Sequence, residues 1–118
     1  MVDKENVTIY HNARCSKSRQ ALSFLDELQG TYEIVEYLKS PPTLEELKEI
    51  IRKLGIRPEQ LVRKSEAEFK ANYAGKVLSD KQWLAALMRF PQLIERPIVV
   101  RGERAVIARP TERIMELD

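Results

Sequence analysis

The chain has one cysteine, Cys15, and one histidine, His11, in 118 residues. A single cysteine cannot close an internal disulfide, and one Cys with one His cannot build a structural zinc site. Redox chemistry at Cys15 therefore has to take its second thiol from another molecule. Long apolar runs are also missing. No stretch nears the ~20 apolar residues that span a bilayer. The opening, MVDKENVTIYH, lacks an apolar segment between a basic end and a small-residue cleavage site, so neither a membrane span nor a signal peptide is expected. There is no large excess of one charge: 20 basic and 18 acidic side chains leave +2. That balance argues against a nucleic-acid partner. Internal repeats and low-complexity segments are absent too.

What is present reads as an ordinary globular chain, with 43% apolar and 32% charged residues. Its length fits one core, so a single domain over residues 1–118 is expected, as a soluble cytoplasmic monomer. Arginine outnumbers lysine, 11 to 9, and many arginines fall in the C-terminal half. Arginine is the residue suited to two-pronged recognition of oxyanions, although most surface arginines are simply solvated.

Residues 7–11, VTIYH, are β-branched and aromatic and predict a strand. A helical pattern starts at Ser16, with Ala21, Leu22, Leu25 and Leu28 at 3–4 spacing and Gly30 as its stop. Residues 32–37, YEIVEY, predict a second strand, and strand–helix–strand suggests a parallel βαβ unit. Pro41-Pro42 breaks the chain. Thr43 and Glu46 then form a capping box ahead of an apolar stripe of Leu44, Leu47, Ile51 and Leu54, which Gly55 closes. Residues 56–68 read as short helical pieces, with Pro58 near a first-turn position. Ser79 and Gln82 form a second capping box before Trp83, Leu84, Leu87 and Met88; Phe90-Pro91 ends that helix. Residues 98–100 and 105–108 predict an antiparallel hairpin about Gly102. A short helix carrying Ile114 and Leu117 follows Pro110-Thr111. This order, β-α-β, helices, β-β-α, is that of an α/β thioredoxin-like fold: a mixed four-stranded sheet with an all-helical insertion at about 43–90.

Cys15 lies between the first strand and the first helix. Free backbone N–H groups and the helix dipole favour an anion there, which lowers a thiol's pKa below its free value of ~8.5. Arg14, Lys17 and Arg19 add positive charge, and Ser18 is spaced so that its hydroxyl can reach the thiolate. The flanks R-C-S-K-S-R are too polar for a buried structural cysteine. A cysteine followed by an arginine also occurs in the phosphate loops of thiol phosphatases, but those run C-x5-R, and here Arg19 stands at C-x3-R.

The run V-T-I-Y-H-N-A-R-C-S-K-S-R resembles the opening of the glutaredoxin-dependent arsenate reductase family, which is related to the Spx regulators. The resemblance extends from Val7 to about Glu116 through Y-L-K-S-P-P-T at 37–43, L-V-R-K at 61–64, E-R-P-I-V-V at 95–100 and A-R-P-T-E at 108–112. It implies Cys15 as the catalytic cysteine and Arg63, Arg96 and Arg109 as the oxyanion-binding arginines. His11, Ser18 and Arg19 match supporting positions around the thiol, with His11 giving electrostatic support to the thiolate. It also implies a cis bond before Pro97, which starts the strand facing the nucleophile. Ala13 stands where the family often has proline, and the run C-S-K-S looks more like a housekeeping subgroup than the C-G-T-S of plasmid-type enzymes.

The implied reaction is reduction of arsenate to arsenite. Cys15 attacks arsenic, glutathione serves as co-substrate and glutaredoxin resolves the product, with no metal and no bound organic cofactor. Two alternatives stand beside it. An Spx-like transcription regulator would bind RNA polymerase; those with a redox switch carry C-x-x-C, whereas the fourth position here is Ser18. A glutaredoxin-like thiol transferase would act on protein–glutathione disulfides.

Overall fold

The computed structural model describes residues 7–27 and 32–117. The chain divides into two compact units, Met1–Ser40 with Arg96–Asp118, and Pro41–Glu95. Among the described residues the first holds four strands: β1 (Val7–His11), β2 (Glu33–Glu36), β3 (Ile98–Arg101) and β4 (Arg104–Ile107). Their order is β2-β1-β3-β4. β1 pairs parallel with β2 and antiparallel with β3, and β3 pairs antiparallel with β4. This is the mixed four-stranded sheet of the thioredoxin-like fold.

Period-2 alternation explains β1: Val7, Ile9 and His11 are buried, while Thr8 and Tyr10 between them are only partly so. Helix α1 (Ser16–Glu27) buries Ala21 and Leu25, one turn apart. These pack with Val7, Ile9, Val99 and Val106 and with Ile114 and Leu117 of the C-terminal segment. That segment, Thr111–Leu117, is a 3-10 helix rather than an α-helix. β2 is shorter than residues 32–37, because Tyr37 leaves the ladder and is buried instead. Leu28 and Gly30, read as the last apolar position and the stop of α1, lie outside the described residues.

The β3–β4 register places two arginines side by side. Gly102 adopts φ 58°, the left-handed backbone that a tight two-residue turn needs. The turn fixes Ile98 opposite Ile107. Continuing that register beyond the ladder sets Pro97 opposite Ala108, whose N–H donates to the Pro97 carbonyl at 2.9 Å, and then Arg96 opposite Arg109. The Arg96–Pro97 bond is cis, as the resemblance implies; the Arg109–Pro110 bond is cis as well.

The second unit is helical: α2 (Leu44–Leu54), α3 (Ala67–Asn72) and α4 (Asp80–Arg89), with 3-10 turns at Pro58–Leu61 and Pro91–Leu93. Both capping boxes form, at Thr43/Glu46 and at Ser79/Gln82. The α2 stripe is rotated from its sequence reading. Leu47, Ile50 and Ile51 are buried, whereas Leu44, in the first turn, is exposed. Met88 of α4 is exposed too, while Trp83 and Leu87 are buried. Trp83 stacks on Phe69 with ring centroids 6.3 Å apart and is flanked by Tyr73 at 5.9 Å. Among the described residues no helix is long and apolar enough to cross a membrane.

Candidate active site

Cys15 caps α1. Its carbonyl accepts the N–H of Arg19 at 3.1 Å, the first bond of the helix, and its sulfur accepts the N–H groups of Lys17 and Ser18. Those are the second and third helical residues, the donors an N-cap side chain normally satisfies. Here the acceptor is a thiol, so the helix end stabilises the thiolate.

The loop before it is held by its own backbone. Asn12 Oδ1 accepts the N–H of Arg14 at 3.0 Å, an Asx turn. The Asn12 carbonyl accepts the N–H of Cys15 at 2.9 Å. The Asn12 N–H donates to Ser18 Oγ at 3.3 Å. Arg19 Nη1 closes the turn from the other side by donating to the Ala13 carbonyl at 2.8 Å. Two expected roles therefore change. The Ser18 hydroxyl, fully buried, receives Asn12, and Ser18 reaches the sulfur through its backbone. Arg19 braces the loop rather than the thiol.

Arg96 and Arg109 reach the sulfur from the sheet. Arg96 hydrogen-bonds it through its side chain. Arg109 Nη2 lies 3.7 Å from Sγ, and Arg109 Nε donates to the Arg96 carbonyl at 2.6 Å. The β3–β4 register thus delivers two guanidinium groups to one point, with one arginine oriented by the backbone of the other. Partial burial pushes the Cys15 thiol up, but the Ser18 and Lys17 N–H groups and the Arg96 bond and charge outweigh it, so the net shift is downward.

His11 ends β1 opposite Glu36. It is buried, and among the described residues its Nδ1 has no hydrogen-bond partner. Burial lowers its pKa, the Glu36 carboxylate opposes that and Arg19 adds to it, leaving a net depression and a neutral ring at pH 7.

Arg63 belongs to the helical unit. Residues 61–63 run against 93–95: the Arg63 N–H donates to the Leu93 carbonyl and the Glu95 N–H to that of Leu61, at 2.6 and 2.8 Å. Arg63 Nε donates to Ser65 Oγ at 3.1 Å. Its place at the thiol rests on the sequence resemblance. Asn12 is the residue that sequence reading missed. An asparagine two residues before an arginine and three before a cysteine, at a strand end, is the signal that marks the turn. Among the described residues no cluster of three or more His, Cys, Asp or Glu side chains is grouped to hold a metal ion.

A sequence model of the ArsC family matches residues 10–117. The chain belongs to the ArsC family. It is 41% identical over 110 residues to a protein of Neisseria meningitidis named arsenate reductase, covering 92% of this chain and 94% of that one. It is 39% identical over 115 residues to an Escherichia coli protein named only as uncharacterized YfgD, covering 96% and 97%. The solved structure of an arsenate reductase from Vibrio cholerae superposes with a TM-score of 0.90 at 38% identity, covering 95% of this chain and 97% of that one. Cys15, Arg63, Arg96 and Arg109 all fall within the residues matched to the ArsC family.

Proposed function

We propose that this chain is a single-cysteine arsenate reductase drawing its electrons from glutathione and glutaredoxin. The observation that carries the reading is the Cys15 sulfur, held by two helix N–H groups and two guanidinium groups, in a chain with no second cysteine. The names borne by its ArsC relatives support the same substrate. Arsenate is a tetrahedral oxyanion carrying about two charges near pH 7, and guanidinium forks match such an anion. Arg96 and Arg109 bind it, with Arg63 as the third arginine. Arg19 and Ser18 keep the loop in shape.

The thiolate attacks arsenic and an As–O bond breaks, releasing hydroxide that leaves as water; arsenic is still pentavalent in the Cys15–S–As adduct. Glutathione thiolate displaces a second oxygen in the same way. The glutaredoxin thiolate then attacks the glutathione sulfur. An S–S bond forms, the As–S(glutathione) bond breaks and its electron pair stays on arsenic, which becomes trivalent. Water releases arsenite and restores the Cys15 thiolate. Two thiols have become one disulfide, the two electrons that arsenate needs. The protein acts as a cytoplasmic monomer, without a resident metal or organic cofactor.

The test is NADPH oxidation coupled through glutathione reductase, omitting one component at a time. Turnover that needs arsenate, glutathione and glutaredoxin together supports the reading. Absence of turnover at millimolar arsenate, with Cys15 still open to alkylation, contradicts it.

A further inference from the structure

β1 ends at His11, in register with Glu36 of β2. Within the next few residues the chain must leave the sheet and set the Cys15 sulfur on the end of α1. Asn12 is the first residue beyond the ladder, and it commits three polar groups to the segment that follows. Its Oδ1 accepts the N–H of Arg14 at 3.0 Å. Its carbonyl accepts the N–H of Cys15 at 2.9 Å. Its own N–H donates to the buried Ser18 hydroxyl at 3.3 Å. The first two bonds close the same turn over residues 12–15, one through the side chain and one through the backbone. The third ties the strand end to the helical residue whose N–H reaches the sulfur. The second position of the turn is Ala13, which has no ring to pre-set its φ as a proline there would. Holding the turn is left to hydrogen bonds: those of Asn12, and the one from Arg19 to the Ala13 carbonyl.

We propose that Asn12 is a positioning residue for the nucleophile: by closing the 12–15 turn it holds the Cys15 sulfur on the N–H groups of Lys17 and Ser18. All three of its bonds go to residues of the loop and of α1, so it acts on the sulfur through them. An N-cap demands a non-helical backbone and an acceptor within reach of the second and third helical N–H groups. A loosened turn lets Cys15 leave that conformation, and the thiolate then exchanges the N–H groups for water. The residue type fits the task. Glutamine is a methylene longer. Aspartate would close the same turn but put a negative charge beside a thiolate and an incoming oxyanion. Asparagine is the short, neutral acceptor. As a part of arsenate reduction the assignment rests on the proposed function; the hold on the sulfur does not.

The test is the rate of iodoacetamide alkylation of Cys15 against pH, in the full chain without glutathione or arsenate. Asn12→Ala should raise the inflection by about 0.5–1 in pH, which slows alkylation below it about three- to tenfold, with the plateau at high pH little changed. Asn12→Ser, whose hydroxyl accepts the same N–H more weakly, should fall between, and it carries the comparison if Asn12→Ala does not fold. Adding Ala13→Pro to either variant should bring the inflection back toward wild type, because the ring pre-sets the turn. Thr43→Ala, which costs the helical unit its cap on α2, should lower the denaturation midpoint and leave the inflection in place; that separates positioning from a general loss of stability. A wild-type inflection in the Asn12 variants, the same rise in Thr43→Ala, or no recovery on adding Ala13→Pro would each overturn the proposal. A raised inflection in a chain whose wild type reduces no arsenate supports the positioning and removes the proposed function. An unmoved inflection beside intact arsenate turnover overturns the positioning and leaves that function.

Discussion

At the scale of single residues, two backbone N–H groups and the Arg96 guanidinium outweigh partial burial of Cys15, so its thiol ionises easily. The rate of iodoacetamide alkylation against pH should therefore inflect below ~8.5, the value of a free thiol. An inflection at or above that value contradicts the capping geometry. On the proposed function, Arg96 acts through shape as well as charge. Arg96→Lys keeps the positive charge and loses the planar fork, so kcat/KM for arsenate should fall by about 1.5–3 kcal/mol, the range for a hydrogen bond to a charged group. Unchanged kinetics would leave Arg96 without a role. His11 makes a prediction of opposite character. Its folded pKa is lowered from 6.5 by burial, against the pull of Glu36. Above the unfolded value neither state binds the proton and stability does not depend on it. As pH falls below that value the unfolded chain is protonated first, so the wild type loses stability. Denaturant midpoints at pH 7.5 and 5.5 should drop further for the wild type than for His11→Gln. A wild type that gains on acidification relative to the variant would show that Glu36 prevails and the ring is charged.

At the scale of elements, the β3–β4 hairpin and the cap of α1 build the site between them. Gly102 at φ 58° has nothing among the described residues within 4 Å of an added Cβ, so substitution there costs backbone strain and no clash with them. Gly102→Ala should destabilise by about 1–2 kcal/mol, while Gly102→Asn, which tolerates the left-handed region, should cost less. Equal costs in chemical denaturation would mean that the turn conformation is not what matters. These elements also show what a sequence discloses. The capping boxes at Thr43 and Ser79 are local, each spanning four residues, and both form as read. The β1 alternation and the Gly102 turn are local too. The rotation of the α2 stripe, which buries Ile50 and leaves Leu44 exposed, depends on the neighbours that α2 packs against, and periodicity alone does not supply those. The final segment reads as helix from its apolar spacing, but Ile114 and Leu117 are three apart, a spacing that a 3-10 helix serves as well.

For the molecule as a whole, sheet order follows from chain order. A βαβ opening and a closing hairpin leave few ways to build β2-β1-β3-β4. The place of Cys15 at the start of α1 was legible because a polar-flanked cysteine stands between a strand pattern and a helix pattern. The meeting of Arg96 and Arg109 with it was legible only through family resemblance. Their sequence neighbours carry no sign that residues so far apart from Cys15 will touch it; the register of two hairpin strands decides it. The bond from Arg109 to the Arg96 carbonyl was not legible, because it depends on side-chain orientation after folding.

The central claim is that Cys15 is the nucleophile in arsenate reduction, and one comparison tests it most directly. Arsenate-dependent NADPH oxidation is measured with wild type and Cys15→Ser side by side, in the presence of glutathione, glutaredoxin and glutathione reductase, after denaturation midpoints have shown both proteins folded. Turnover is predicted for the wild type and none above background for the variant. Equal turnover in the two would contradict the claim.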